Sequence, residues 1–305
     1  MLRSYQSLRS CHGRHMILGG TSGPEQDPEN ALVGLFAEQE VAREPVVSAT
    51  VRLASRLDAR WAEPVVRWLH GHGRRVIMRT CAVLPRSLIQ AAQECDATVQ
   101  YELAHHRPAF QRALLGPDAD PASALLLQAQ HLQQLSVPVV GHLGPVFPGI
   151  SAAVSASDRG GESIEPLLRH VAGANVRDVH VSAGVLTHAR LTALEPLLDL
   201  AAISALRRAF GLGLGLGFGR TRAGSGGPGG PGAGPWRLQR FTRRALLESV
   251  AGLARDHALV VDACGCAFAC HRDPDASNPG PLRPGFVSFK PQELFALVSP
   301  VDQAG

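Results

Sequence analysis

The stretch Pro138–Ile150, which reads PVVGHLGPVFPGI, decides the fold. An apolar run leads into a Pro-x-x-Pro-Gly turn, and an alanine- and leucine-rich segment of helical character precedes it. This order predicts a helix, then a buried strand, then a loop at the carboxyl end of that strand. In barrel enzymes the carboxyl ends of the strands carry the chemistry.

The same alternation of strand and helix patterns repeats along the chain. Repeated strand–helix units imply a parallel sheet with helical crossovers. The predicted fold is therefore α/β, a partial (β/α)6 TIM-type barrel of parallel strands. The predicted strands are 46–51, 75–80, 97–103, 137–143, 178–182 and 258–261, and the predicted helices are 61–71, 84–94, 121–135, 164–172, 191–210 and 240–257.

The 305 residues, 45% of them hydrophobic, are enough to bury one large core. We expect an N-terminal segment at 1–40, a barrel-like domain at 41–262 and a cysteine-containing tail at 263–305. Within the domain, the Gly/Pro-rich residues 211–235 predict a flexible loop, because such a composition does not offset the entropy of ordering it.

Charge and hydropathy indicate which cell compartment and which classes of partner to expect. No apolar run reaches the roughly 18 residues of a membrane span, and residues 1–20 lack a signal-peptide core, so we expect a cytoplasmic protein without a membrane partner. The net charge is +4, and Lys290 is the only lysine. A basic helix face interleaved with Trp236 and Phe241 is either a solvated surface or a contact for nucleic acid. Its arginines are Arg237, Arg240, Arg243 and Arg244.

The apolar run and turn of Pro138–Ile150 resemble the "aP(I/V)IPG" strand of radical S-adenosylmethionine enzymes of the spore photoproduct lyase type. Residues 76–81 are similar to the family's "I(I/V)TKS" strand and keep Thr80. The resemblance implies a [4Fe-4S] cluster and S-adenosylmethionine as cofactors. It implies cofactor-binding positions at Thr80, Pro145, Pro148 and Gly149.

Two departures from that family concern its polar positions. Thr50-Val51 resembles the family's "TVTDPYQP" strand, but residues 52–55 replace the polar and Pro-Tyr residues that follow. The family's C-x3-C-x2-C motif survives only as Cys11 with its trailing Arg14, because the other cysteine positions fall on Ser4 and Leu8. Cys11 is thus either a remnant cluster ligand or an isolated N-terminal cysteine.

A second set of soft ligands follows the last predicted strand. Three thiolates and an imidazole suit Zn²⁺, and three thiolates with an exogenous fourth ligand suit an iron-sulfur cluster. The C-x-C-x3-C spacing is not a common zinc-finger pattern, so three semi-buried cysteines around a turn stay open as an alternative. The predicted metal ligands of this set are Cys264, Cys266, Cys270 and His271.

These patterns leave three functional hypotheses. The first is a divergent radical S-adenosylmethionine protein, lyase-like if active, with a degenerate catalytic site. The second is a non-catalytic barrel that serves as a binding or regulatory module, with structural zinc in the C-terminal cysteines. The third is a metal-assisted hydrolase. Its candidate histidines are His105, His106, His142 and His180. The alternative for His105 and His106 is that they are exposed loop residues. If the strands close into a barrel, strand alternation could turn His142, His180 and Tyr101 inward.

Overall fold

A computed structural model gives the structure of the chain and describes residues 2–10, 13–20, 46–53, 58–151, 163–212 and 235–261. Its main element is an eight-stranded sheet, and a two-stranded ribbon lies beside it. The strands of the sheet are β1 Leu2–Ser10, β2 Gly13–Gly20, β3 Val46–Leu53, β4 Arg75–Thr80, β5 Thr98–Leu103, β6 Val139–Val146, β7 Asp178–Ala183 and β10 Val260–Val261. The ribbon pairs β8 Val185–Leu186 with β9 Trp236–Arg237.

The sheet follows the order of the chain. Its order is β1-β2-β3-β4-β5-β6-β7-β10, and every pair is parallel except the β1–β2 hairpin. Each parallel strand thus lies beside its predecessor, which is the winding of a barrel rather than of a doubly wound sheet. The described strands form an α/β sheet that is compatible with a partial barrel, and no closure between its two edges is present among them.

Helices connect the parallel strands. α1 packs against β3 and β4, and α8 packs against β7 and β10. Apolar side chains at helical spacing form the buried stripe of α8, for example Leu246, Leu247 and Val250. The helices are α1 Ala59–Gly71, α2 Arg86–Glu94, α3 Pro108–Leu115, α4 Ala122–Gln134, α5 Glu165–Gly173, α6 His188–Leu194, α7 Leu200–Ala209 and α8 Arg240–Asp256.

Several local features of the structure differ from the sequence predictions. The hairpin β1–β2 and helix α3 were not expected from the sequence. The single helix predicted for 191–210 is divided: α6 ends at Leu194, a 3-10 turn spans Glu195–Leu197, and α7 begins at Leu200. The break follows Pro196, after which Leu198 is extended and the Asp199 carboxylate accepts a hydrogen bond from Ala202 N at 2.7 Å.

The two faces of the sheet differ in chemistry because side chains alternate along each strand. One face packs against the helices and forms the hydrophobic core, with Val51, Met78, Leu103 and Val181 among its buried side chains. The buried Ile77 stands outside that core cluster, one position from Met78. The opposite face carries the polar side chains considered below.

Several predicted features lie outside the described residues. These are Cys11, Cys264, Cys266, Cys270, His271 and nearly all of the Gly/Pro-rich segment at 211–235. Among the described helices, none combines the length and apolar character that crossing a bilayer requires.

We predict that Gly144→Ala destabilises the protein, because β6 and β7 approach closely at this residue. A Cβ there would lie 2.7 Å from the carbonyl oxygen of Ser182, which cannot move without displacing β7. Overpacking of this kind lowers the free energy of unfolding by about 1–3 kcal/mol. Urea unfolding, monitored by circular dichroism, measures this loss in the free energy of unfolding.

Gly252→Ala is the matched control, because a Cβ at Gly252 in α8 meets nothing within 4 Å. Alanine favours a helix over glycine, so this variant should gain about 0.5–1 kcal/mol. Equal stability of Gly144→Ala and wild type would contradict the close strand approach.

Candidate functional site

The face of the sheet opposite the helices carries a band of polar side chains, which we call the polar face. Arg52, Arg79 and Gln100 are in register across β3, β4 and β5. Glu102, His142 and His180 are in register across β5, β6 and β7. Residues in register on parallel strands point to the same side, so two neighbouring rows of polar groups meet there. The polar face consists of Thr50, Arg52, Arg79, Thr98, Gln100, Glu102, His142, His180 and Ser182.

A buried ion pair holds the centre of the polar face. Nε of Arg79 donates to Oε1 of Glu102 at 2.8 Å, and Nη2 of Arg79 lies 2.7 Å from the same oxygen. The two residues are 6% and 3% exposed, so neither charge is well solvated. A pair in such surroundings is stabilised only by good geometry and further hydrogen bonds. One of those bonds joins Arg79 in β4 to His142 in β6.

The two histidines of the polar face are neutral. Arg79 Nη2 lies 2.7 Å from Nδ1 of His142, and because a guanidinium group only donates, the imidazole accepts this hydrogen bond. Burial, and then the charge of Arg79, lowers the pKa of His142 well below its usual value. The same causes lower the pKa of His180 to about 3. The two rings stack with centroids 5.1 Å apart.

Positive charge exceeds negative charge around Glu102. Burial alone would raise the pKa of Glu102, but Arg79, Arg52 and Arg190 outweigh it and hold this pKa below its usual value. Arg52 Nη2 lies 3.7 Å from Oε1 of Glu102, and Arg190 is fixed by bonds to the carbonyl oxygens of Leu114 and Val185. Three guanidinium groups thus act on one carboxylate among the described residues.

Arg52 and Gln100 of the polar face each have one buried atom without a hydrogen-bond partner among the described residues. One is the Nε–H donor of Arg52, and the other is the Oε1 acceptor of Gln100. Gln100 is 2% exposed, whereas the Arg52 side chain is 38% exposed and reaches the surface. Buried polar atoms without partners are uncommon in folded proteins and call for a ligand or water.

The positions implied by the radical-enzyme resemblance lie at the carboxyl ends of β4 and β6. Thr80 is buried, but its side chain faces away from Arg79 and its hydroxyl donates to the Ala82 carbonyl at 2.8 Å. Pro145 lies within β6 after a cis peptide, and Pro148 and Gly149 are buried in the following turn. Whether these residues bind a cofactor stays a prediction.

The loop after β5 contains His105 and His106. His105 is fully buried rather than exposed, and stacks on Phe110 at a centroid distance of 4.5 Å. Burial, and then the charges of His106 and Arg107, lower the pKa of His105 to about 3. In the described part of the chain, no group of three or more His, Cys, Asp or Glu residues could hold a metal ion. The four histidines of the hydrolase hypothesis therefore do not form a metal site with one another.

Tyr101 and Cys81 do not belong to the polar face. The expected inward position of Tyr101 is wrong: its neighbour Glu102 occupies that face, and the Tyr101 hydroxyl donates to Gln128 in α4 at 2.6 Å. Burial, and then Glu102, raises the pKa of the Cys81 thiol to about 12. At neutral pH this thiol is protonated and is a poor nucleophile.

Sequence reasoning missed the arginines and glutamine of the site. Arg52 belongs to the segment that departs from the family's strand, and neither Arg79 nor Gln100 was predicted as a site residue. A signal was present, since polar residues recur at every second position within strands that are otherwise apolar, as in Gln100-Tyr101-Glu102 and His180-Val181-Ser182. Such a pattern indicates a sheet face that is buried and polar.

The described neighbours of Cys11 lie far from this site along the strands. Ser10 pairs with Gly13, and Arg14 pairs with Val46 at the beginning of β3. Arg52 lies six residues further along β3, which corresponds to about 20 Å of extended strand. The chain on either side of Cys11 thus stands at the amino edge of the parallel sheet, whereas the ion pair lies near its carboxyl edge.

We predict that stability falls as the pH is lowered from about 6.5 towards about 3. His180 and His105 have folded-state pKa values of about 3, below the ordinary value of 6.5, so in this window the unfolded chain binds protons that the folded chain does not. Each such group contributes a slope of about 1.4 kcal/mol per pH unit. Urea unfolding at a series of pH values measures the slope.

His180→Gln should reduce that slope, and His170→Gln, which changes an exposed histidine of α5, is the control. An unchanged slope in His180→Gln would contradict a neutral, buried His180.

Comparison with known proteins adds no family to this description. No protein-family model matches the chain, and no curated protein matches it. The likeness to radical enzymes therefore rests on the residues quoted from the sequence, and the function has to be argued from the polar face.

Proposed function

We propose that the protein binds a small carboxylate at the polar face, near the carboxyl ends of β3, β4 and β5. The observation that carries this proposal is the imbalance of charge among the described residues, where Arg52, Arg79 and Arg190 surround the carboxylate of Glu102. Uncompensated buried charge is costly, so an anion that enters the site gains more than it would from an exposed arginine.

Arg52 is the group that meets the ligand first. Its side chain is partly exposed and its Nε–H has no described partner, whereas Arg79 is already bonded to Glu102 and His142. A planar carboxylate matches the fork of one guanidinium group. Inorganic phosphate has four oxygens at the corners of a tetrahedron, and arginines on one face of a sheet supply donors to them from one side only.

Arg52→Gln should weaken propionate binding about tenfold or more, the effect of losing one charge-assisted hydrogen bond. Isothermal titration calorimetry at low ionic strength measures the affinities of propionate and of inorganic phosphate. Since the Arg52 side chain is partly exposed, the variant is expected to fold.

Arg169→Gln is the control, because Arg169 is an exposed helical arginine with one carboxylate partner, Glu165, at 3.5 Å. It should bind propionate as wild type does. No propionate binding to wild type, or equal binding by both variants, would overturn the proposal, and tighter binding of phosphate would overturn the preference for a carboxylate.

A catalytic version of this proposal is a divergent radical S-adenosylmethionine protein in a partial (β/α)6 barrel. The sequential order of the parallel strands supports it, together with the retained Pro145, Pro148 and Gly149. Anaerobic reconstitution of the full chain with iron and sulfide should then give the absorbance of a [4Fe-4S] cluster at about 400 nm. The absence of a cluster would end this version and leave the binding proposal intact.

Structural zinc at the C-terminal cysteines is the competing assignment for the metal. It predicts stoichiometric zinc in protein purified without added iron, and a lower melting temperature for Cys264→Ser, because structural metal binding is coupled to folding. Cys81→Ser, which changes a buried cysteine outside that set, controls for the loss of any thiol. Unchanged metal content in Cys264→Ser would contradict zinc at this position.

A DNA contact is proposed for the beginning of α8. Burial is the largest cause that lowers the pKa of Arg243, and the charges of Arg240 and Arg237 lower it further, which indicates that the three positive charges are close. Phe241 beside them is 86% exposed. A double variant Arg240→Gln/Arg243→Gln should weaken binding of a short DNA duplex and reduce the salt slope by about 2. Arg169→Gln/Arg177→Gln is the control, and equal salt slopes for both double variants would contradict the contact.

A further inference from the structure

The buried oxygen of Gln100 restricts what the ligand of the polar face can be. Oε1 of Gln100 is an acceptor with no hydrogen-bond partner among the described residues, and the residue is 2% exposed. An unpartnered buried acceptor costs free energy unless a donor reaches it. Arg79 is its neighbour in register on β4, but the described hydrogen bonds of the Arg79 side chain go to Glu102 and His142.

The donor must come from a group that lies close to the ligand's carboxylate. Arg52, Arg79 and Gln100 occupy one row across three neighbouring strands, and adjacent strands are about 4.8 Å apart. A carboxylate held at Arg52 and Arg79 therefore lies within a few ångströms of the Gln100 side chain. A donor on the carbon next to the carboxylate, or on the following carbon, spans that distance.

We propose that the ligand is a small hydroxy acid, whose carboxylate binds Arg52 and Arg79 and whose hydroxyl donates to Oε1 of Gln100. This inference rests on the proposed function and names its substrate class. The hydroxyl satisfies the acceptor without adding charge. An ammonium group would also donate, but it would bring a further positive charge to a face where three arginines already surround one carboxylate.

The neutral state of the neighbouring histidines agrees with a hydroxyl donor. Both rings of the His142–His180 stack lie in the row next to Gln100 and are uncharged for the reasons given above. They therefore add no positive charge to the polar face, and the arginines remain the charged partners of the ligand's carboxylate.

Lactate and propionate test the proposal, because they differ only in the hydroxyl group. Calorimetry on the full-length wild-type protein should show lactate binding about fivefold to tenfold more tightly than propionate. In Gln100→Leu the two acids should bind alike, with the affinity for propionate unchanged. Alanine, which carries an ammonium group at the same carbon, should bind more weakly than lactate.

Stability of the ligand-free protein separates a binding role of Gln100 from a structural one. Gln100→Leu removes no described side-chain hydrogen bond of Oε1, so its melting temperature should equal or exceed that of wild type. Gln111→Leu is the contrasting variant, since this buried glutamine bonds Ala104 N, His105 N and the Glu102 carbonyl. It should melt at a lower temperature and keep the preference for lactate.

The outcomes distinguish the two proposals. If neither acid binds wild type, the carboxylate site and the hydroxy acid are both overturned. If both acids bind equally, or if Gln100→Leu keeps the preference, the hydroxy-acid assignment is overturned and the carboxylate site stands. Alanine binding as tightly as lactate overturns the choice of a hydroxyl over an ammonium group, and a marked loss of stability in ligand-free Gln100→Leu assigns the glutamine to the fold.

Discussion

The ion pair between Arg79 and Glu102 is the interaction on which the polar face depends. Both side chains are almost completely buried, and each is held by the other at 2.7–2.8 Å. Removal of one member of such a pair leaves an uncompensated buried charge, which typically costs about 3–5 kcal/mol. The position of Arg79 in turn fixes His142, whose Nδ1 accepts its second hydrogen bond. Three strands, β4, β5 and β6, are thereby tied together on the face that lacks the helices.

A buried polar face is a costly arrangement, and its retention in a sheet with an ample apolar core points to function rather than stability. Well-packed hydrophobic residues at these positions would stabilise the fold at least as well as an ion pair does. The sheet already has such a core on its helical side. Within the described residues, the atoms of Arg52 and Gln100 without a hydrogen-bond partner and the excess of positive charge are features that a purely structural network would not need. A site for a small anion accounts for all of them together.

The hydrophobic frame could be predicted from the sequence, and the additional elements could not. Apolar runs between helical segments are local signals, and they located strands β3 to β7 and most of the helices. The hairpin β1–β2 was not predicted because its sequence is mostly polar and its apolar run, Met16–Leu18, is only three residues long, although the hairpin forms one edge of the sheet. The helix predicted for 191–210 was divided because Pro196 and the Asp199 cap override a continuous helical pattern.

The sequence by itself determined that strands and helices alternate, and that polar residues recur at every second position in several strands. It could not determine that Arg52, Arg79, Gln100, Glu102, His142 and His180 share one face, because this depends on the register between strands. A shift of one residue in any strand would turn its polar side chains towards the helices. Tyr101 shows the difference: sequence alone could not say which face it occupies, and the paired register turned it towards Gln128 in α4. Register is set by contacts between distant parts of the chain, so only the tertiary structure decided which residues form the site.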